Sequence, residues 1–508
     1  MQRQTTLSAL ISAGEDTATA IHAPGGSPLS YTSLRALVAR TIETLNQLGI
    51  GRGDRVAIVL PNGPEMATAF VAIAAGCASC PLNPGYRADE FEFYLSDLQA
   101  KALVVERGST SASIEVAKKL GVRLIELVPG SEGSGSFSLH AVDAGGGAPA
   151  ANGGPAQPAD VALILHTSGT TSRPKIVPLS QSNVCASAYN IVQTLNLTPA
   201  DRALNIMPLF HIHGLIAGTL APLAAGSTIF CTPGFNALKF FQWMAECKPT
   251  WYTAVPTMHQ TILARAAQNK ETIAANPLRF LRSSSSSIPP QVIAELEAVF
   301  NAPLIESYGM TEASHQMASN PLPPAVRKPG TVGVAAGPEI AIMDDSGALL
   351  PRGATGEIVI RGPNVTLGYE NNPKANGEAF ANGWFRTGDQ GTMDAEGYLS
   401  ITGRLKEIIN RGGEKISPRE VDEVLMDHPA VAQVVTFGMP HDKLGEDVGA
   451  VVVLKEGKQA TERELRDFVQ SKLADFKVPR KILFMDEIPK GATGKLQRIG
   501  LAAKLGLG

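Results

Sequence analysis

The stretch Val161-Ala-Leu-Ile-Leu-His-Thr-Ser-Gly-Thr-Thr-Ser-Arg-Pro-Lys175 decides how this chain is read. Its first five residues, Val161 to Leu165, form a short continuous apolar run of the kind that makes a strand buried on both faces. From Thr167 to Lys175 the sequence is too rich in glycine and hydroxyls to continue that strand. A turn of this composition at the end of a strand can aim backbone N–H groups, the hydroxyls of Thr167, Ser168, Thr170 and Thr171, and the cations Arg173 and Lys175 at one polyphosphate. Gly169 lies in the middle of that turn. The pattern G-x-x-x-x-G-K-[ST] is absent, so the loop is a phosphate cradle other than a Walker loop.

On the N-terminal side, apolar spacing makes Tyr31 to Gly49 a helix ending on glycine, Arg55 to Leu60 a buried strand, and Pro64 to Ala75 a helix. Ala102 to Glu106 and Val122 to Leu127 repeat the strand texture between helical stretches. Such alternation argues for layered α/β architecture with largely parallel sheets. The Gly/Ala/Pro segment Ala144 to Pro158 reads as a flexible surface connection. On the C-terminal side the texture changes after Leu405. Ser417-Pro418 is an N-cap with proline at the first helical position, opening a helix through Met426. Gln433 to Phe437 and Ala450 to Leu454 read as strands, Thr461 to Leu473 as an amphipathic helix, and Lys481 to Met485 as a last strand. The expected division is a large layered domain over 1–404 and a compact α+β module over 405–508.

At 508 residues the chain exceeds one ordinary core, which accords with two domains. The 44 Lys+Arg against 47 Asp+Glu leave a net charge of −3, without the basic surplus of a nucleic-acid binder. Five cysteines make no disulfide framework and suggest a reducing compartment. Cys77 and Cys80 form a C-x-x-C, but with no second cysteine or histidine pair nearby they read as buried spectators. Met1 to Leu10 lacks a secretory pattern, and the run Ala67 to Leu82 is interrupted and too short to span a membrane. No S-K-L address ends the sequence, so cytoplasm without membrane contact is the expectation.

Two further strings carry chemistry. In Glu306-Ser-Tyr-Gly-Met-Thr-Glu312, Tyr308 offers a flat face for a base, Gly309 permits close backbone approach, and Thr311 with Glu312 supplies hard oxygens for Mg²⁺ on phosphates. In Thr387-Gly-Asp389, a carboxylate behind a glycine turn can accept hydrogen bonds from ribose hydroxyls.

These strings, with Gly403-Arg-Leu-Lys-Glu-Ile-Ile-Asn-Arg-Gly-Gly-Glu-Lys415 and Pro489-Lys-Gly-Ala-Thr-Gly-Lys495, closely resemble the ordered motifs of the ANL adenylate-forming superfamily, over about residues 10 to 500. The resemblance implies a large N-terminal domain of several subdomains and a small mobile C-terminal one, with ATP, Mg²⁺ and coenzyme A as reactants. It implies nucleotide contacts from Thr167, Ser168, Gly169, Thr170, Thr171, Lys175, Ser307, Tyr308, Gly309, Thr311, Asp389 and Arg404, and metal contacts from Thr170 and Glu312. Lys495 matches the family lysine that bridges carboxylate and α-phosphate, so Lys495, Glu312 and Thr311 are the expected catalytic group. Lys406 matches the hinge about which the small domain turns. Ile176 departs from the family, which more often has glycine after Pro-Lys.

For the acid, His213 lies in the pocket segment Pro208-Leu-Phe-His-Ile-His-Gly214, as does His211, which reads at least as well as an aromatic gate or a core histidine as it does as a ligand. Ser283 to Ser287 is a run of five serines, and His315 follows the Thr-Glu pair. Serines and imidazoles suit a short anionic acid and would desolvate an alkyl tail poorly. The strings Arg279-FLRSSSSSI-Pro289, Met310-TEASHQMASNPLPP-Ala325 and Arg411-GGEKISPREVD-Glu423 resemble the oxalate–CoA ligase branch, which implies Ser285 and His315 as holders of the second carboxylate. A ligase for malonate or a branched short acid, and a ligand-binding relative without turnover, are the alternatives. Intact Lys495, Glu312, Asp389 and Arg404 speak against the last.

Overall fold

The computed structural model describes residues 3–142, 148–167, 174–488 and 498–507. The chain forms two compact units, residues 1–339 with 360–385, and residues 340–359 with 386–508. This compactness division differs from the expected break at residue 404, which concerns a part that turns and so is a different quantity.

The larger unit holds a seven-stranded and a nine-stranded sheet. In the first, Arg55–Val59 runs parallel between Ala78–Pro81 and Ala102–Glu106, close to the bounds read from sequence. Val161–Thr167 is paired antiparallel with Lys175–Ser180, placing Thr167 opposite Lys175 and His166 opposite Ile176. Ile176 is 5 % exposed and packs in the apolar cluster with Ile164, Leu82 and Phe91. The departure at this position is thereby explained: the side chain is core, and a glycine would lose its burial. Helix Tyr31–Gln47 is capped by Ser30, whose side chain accepts from the Ser33 N–H.

In the second sheet Trp251–Ala254, Phe280–Ser283 and Leu304–Met310 are successive parallel neighbours. His315–Ser319 returns antiparallel against Leu304–Met310 with a register shift between Tyr308 and Gly309. Between sheet strands an unusual element appears, a π-helix over His213–Leu220 that no apolar spacing announced. The Ala148–Pro158 stretch is tied to the body rather than loose. Ala150 and Ala156 donate to the carbonyls of Asn46 and Ala75, and the Asn152 carbonyl accepts from Arg52, all at 2.8 Å. Composition missed these bonds because they use backbone groups alone.

In the smaller unit Gly445–Leu454 lies between antiparallel Val431–His441 and parallel Lys481–Phe484. Helix Pro418–Met426 opens on Ser417, whose side chain accepts from the Glu420 N–H, and helix Glu462–Gln470 opens on the Thr461 capping box. Val421, Leu425, Leu465 and Val469 bury one face of these helices against Val434, Ala450 and Val452. All five cysteines are buried, and burial pushes the thiols of Cys77, Cys80, Cys185 and Cys247 up to about 12 and that of Cys231 upward as well. The C-x-x-C pair is a core feature, as its setting suggested. Among the described residues no helix is long and apolar enough to cross a membrane.

Candidate active site

Parallel strands end together, so the residues just past their C-terminal ends converge on one place. The serine run leaves Phe280–Ser283 there, and Thr311–Ala313 forms a 3₁₀ turn between Leu304–Met310 and its return strand. The serines divide by environment. Ser283 and Ser284 are 1 % exposed, and the adjacent strand ends are stitched by Ser284 Oγ donating to the Ser307 carbonyl and Ser307 Oγ donating to that of Ser283, both at 3.2 Å. Ser286 and Ser287 are exposed. Ser285 alone in the run meets an imidazole, its Oγ lying 3.1 Å from His213 Nδ1. Its φ of +74° is a conformation L side chains rarely adopt, so the turn is held there by its surroundings.

His213 opens the π-helix and is 2 % exposed. Its ring stacks on that of His315 with centroids 4.8 Å apart and planes 19° from parallel. His315 is also 2 % exposed and has φ +95°. Gly309 makes room for it. A Cβ on Gly309 would lie 1.7 Å from the His315 carbonyl oxygen and 3.3 Å from its Nδ1. Glycine is therefore required by the close approach of the two strands at the bulge.

Beneath the stacked rings lies Arg282, fully buried on the Phe280–Ser283 strand and directly opposite Thr253. Burial lowers its pKa to about 9. Its Nη1 is 3.4 Å from His213 Nε2 and 3.3 Å from Thr253 Oγ1, and its Nη2 is 3.2 Å from His315 Nε2 and 3.3 Å from Gln316 Oε1. The sequence reading quoted Arg282 without giving it a role. An arginine within the otherwise apolar run Phe280-Leu-Arg was the available signal, since a strand interior seldom buries an unpaired cation.

Glu312 is 6 % exposed, and Tyr369 Oη donates to its Oε1 at 2.8 Å. Burial and this carboxylate both push the Tyr369 phenol up, keeping it a donor. The Tyr369 ring also lies 4.3 Å under Lys175 Nζ, so one aromatic side chain touches both an expected phosphate ligand and an expected metal ligand. Tyr369 was not singled out in the sequence. Tyr308, on the strand Leu304–Met310, is 8 % exposed, and Thr311, at the start of the turn that follows, is half-buried.

In the smaller unit Asp389 pairs with Arg404 across antiparallel strands, with 3.3 Å between Oδ1 and Nε. Gly388 precedes it at φ +74°, and the Gly388 N–H donates to Glu357 Oε1 at 2.9 Å, fixing the turn. Lys406 is exposed in the 3₁₀ turn Leu405–Glu407. Ser168, Gly169, Thr170, Thr171, Arg173 and Lys495 lie outside the described residues.

The AMP-binding enzyme model matches residues 12–370 and its C-terminal domain model residues 420–495, so the chain belongs to the AMP-binding enzymes of the ANL superfamily and is an AMP-forming acid–CoA ligase. More particularly, it is 45 % identical to the oxalate–CoA ligase of Arabidopsis thaliana over 94 % of each chain. To the oxalate–CoA ligase of Saccharomyces cerevisiae it is 44 % identical over 88 % of this chain and 86 % of that one. The ATP-bound structure of MatB from Rhodopseudomonas palustris is similar with a TM-score of 0.88, at 31 % identity and 98 % coverage of both chains.

Proposed function

We propose that the acid is oxalate, and that the product is oxalyl-CoA with release of AMP and pyrophosphate. The observation that carries this reading is the Ser285–His213–His315 cluster, in which Ser285 Oγ lies 3.1 Å from His213 Nδ1 and the two imidazoles stack with centroids 4.8 Å apart, a set of polar groups suited to a short anionic acid. The 44–45 % identity to two oxalate–CoA ligases supports it.

In the first half-reaction a carboxylate oxygen attacks the α-phosphorus, and the bond to the β-phosphate oxygen breaks to release pyrophosphate. Lys495 bridges the incoming carboxylate and the α-phosphate. Thr167, Ser168, Gly169, Thr170, Thr171 and Lys175 hold the phosphates, Ser307, Tyr308, Gly309 and Thr311 the nucleoside side, and Asp389 with Arg404 the ribose. Glu312 and Thr170 offer hard oxygens that fit Mg²⁺, and the Tyr369 hydroxyl orients the Glu312 carboxylate for it. When bound, that ion neutralises phosphate charge. In the second half-reaction the thiolate of coenzyme A attacks the acyl carbon and the bond to AMP breaks. A turn of residues 405–508 against 1–404 about Lys406 exchanges the two chemistries at one site.

Ser285 and His315 hold the distal carboxylate, with His213 backing Ser285. The test is AMP formation by the purified protein with a panel of short mono- and dicarboxylic acids, with and without coenzyme A. Oxalate should exceed acetate and propionate in kcat/KM by at least ~10²-fold, since a site built for a polar group rejects acids that lack it. Faster turnover of butyrate than of oxalate would refute the assignment.

A further inference from the structure

Arg282 is a buried cation for which no acidic partner appears among the described residues. Its four polar contacts are two imidazole nitrogens, a hydroxyl and an amide oxygen, and its Nε, also buried, has no partner there. Burying a guanidinium without a counter-charge costs several kcal/mol in general, so a fold that keeps one at 0 % exposure uses it.

The use follows from donor directions. A guanidinium donates and cannot accept. The Nε2 atoms of both His213 and His315 face it, so each presents a lone pair there and carries its proton on Nδ1. Thr253 Oγ1 accepts from Arg282 Nη1 and lies 2.6 Å from His213 Nε2, so its own hydroxyl hydrogen goes to that nitrogen. His213 Nδ1–H then donates to Ser285 Oγ, which leaves the Ser285 hydroxyl hydrogen for an outside acceptor. On the other branch His315 Nδ1 lies on the side of Gly309, 3.3 Å from where a Cβ on that glycine would stand. His259 holds the arginine's backbone from behind. Its Nδ1 accepts from Tyr252 Oη and its Nε2 donates to the Arg282 carbonyl, both at 3.1 Å, and burial keeps it neutral with a pKa lowered to about 4.

We infer that Arg282 is the specificity-determining positioning residue of the acid site, forking two imidazoles into donor form and supplying the positive charge that the distal carboxylate of a dianionic acid neutralises. Arg282 acts through His213, Ser285 and His315 and does not touch the acid itself. This rests on the oxalate reading above and adds what makes the receptor select a charge rather than a shape.

The test compares oxalate with oxamate, in which an amide of nearly equal size replaces the distal carboxylate. In the wild type kcat/KM for oxalate should exceed that for oxamate by about 10²-fold or more, a modest value for a buried charge-assisted contact. Arg282→Met should cut that ratio at least tenfold, chiefly through the KM of the acid, with the KM of ATP held within about twofold. Arg282→Lys keeps the charge but cannot fork two rings, so it should give an intermediate ratio. A ratio below about tenfold in the wild type overturns the inference whatever the variants do. Equal loss with both acids in Arg282→Met, or a wild-type ratio in Arg282→Lys, also overturns it, by showing a purely structural arginine or a dispensable fork. If Arg282→Met does not fold, as judged by thermal unfolding, the lysine variant decides. Oxalate turnover with a ratio unmoved by either substitution sinks this inference alone, whereas absence of AMP formation with oxalate, whatever malonate and succinate do, sinks the oxalate reading and this inference together.

Discussion

Gly309→Ala tests how closely the return strand and the acid receptor are coupled. The added Cβ would start 1.7 Å from the His315 carbonyl oxygen and 2.6 Å from its carbon, both backbone atoms that cannot rotate away. Real Cβ contacts essentially never fall below 3.0 Å, so the strands must separate by 3.0 − 1.7 = 1.3 Å at this point. Overpacking of this size costs roughly 1–3 kcal/mol. The larger effect falls on catalysis, because the displaced residue is His315, whose φ of +95° already depends on its surroundings. A displacement of about 1 Å in a positioning residue is enough to lower turnover by ~10²-fold. Steady-state kinetics with oxalate, together with thermal unfolding, would measure both. Gly309→Ala should melt a few degrees lower, lose about 10²-fold in kcat/KM for oxalate, and raise the KM for ATP as well, because Gly309 also borders Tyr308. A variant with wild-type kinetics would refute the claim that the strand spacing sets the position of His315.

The remaining predictions address other parts of the molecule. Ser285→Ala and His315→Ala should each lower kcat/KM for oxalate by at least ~10²-fold while ATP binding, measured calorimetrically, changes little; unchanged oxalate kinetics in either variant would contradict the receptor. Lys495→Ala should lose adenylation by ~10²–10⁴-fold while thiolation of supplied oxalyl-AMP survives, and equal loss of both half-reactions would remove the lysine from its role. Lys406→Pro should spare adenylation and slow coenzyme A-dependent turnover, because proline fixes φ where a hinge must change it; normal overall turnover would argue against a hinge there. His259 has a native pKa of about 4 against an ordinary ~6.5, so the unfolded chain takes the proton first. Its contribution leaves stability intact above pH ~6.5 and erodes it as pH falls toward ~4, by at most about 3 kcal/mol. Urea titrations at pH 7 and 5 should show a smaller loss in His259→Gln than in the wild type, and identical losses would rule out this histidine as the source.

Much of this architecture was legible because its signals are local. The Ser417-Pro418 helix start, the strand at Ala102 to Glu106 and the helix from Tyr31 each depend on residues within one or two turns, and each lies where its spacing put it. Part of the acid cluster was likewise marked in sequence, since the serine run and the imidazoles of His213 and His315 stand out by residue type, and the structure brings Ser285, His213 and His315 together. What escaped was set by distant register. Arg282 meets His213 across 69 positions and His315 across 33, and Tyr369 reaches Glu312 across 57. No local pattern marks such a pairing. The Ser285 assignment illustrates the middle ground. Five identical side chains in a row are chemically indistinguishable in sequence, and only the strand end at Ser283 and the exposed turn at Ser286 separate them.

The burial of every cysteine has a practical consequence for watching this enzyme move. A ligase that handles a free thiol as substrate carries no accessible thiol of its own, and thiols held near 12 or above are almost wholly protonated at neutral pH and so poor nucleophiles. Maleimide or methanethiosulfonate reagents should therefore leave the native protein unmarked. Two cysteines placed by design on exposed positions, one within residues 1–404 and one within 405–508, would be the reactive pair, with no background substitution needed. Spin labels or fluorophores at those two points would then test, by the distance between them in each half-reaction, whether the C-terminal part turns as proposed, in an otherwise unaltered sequence.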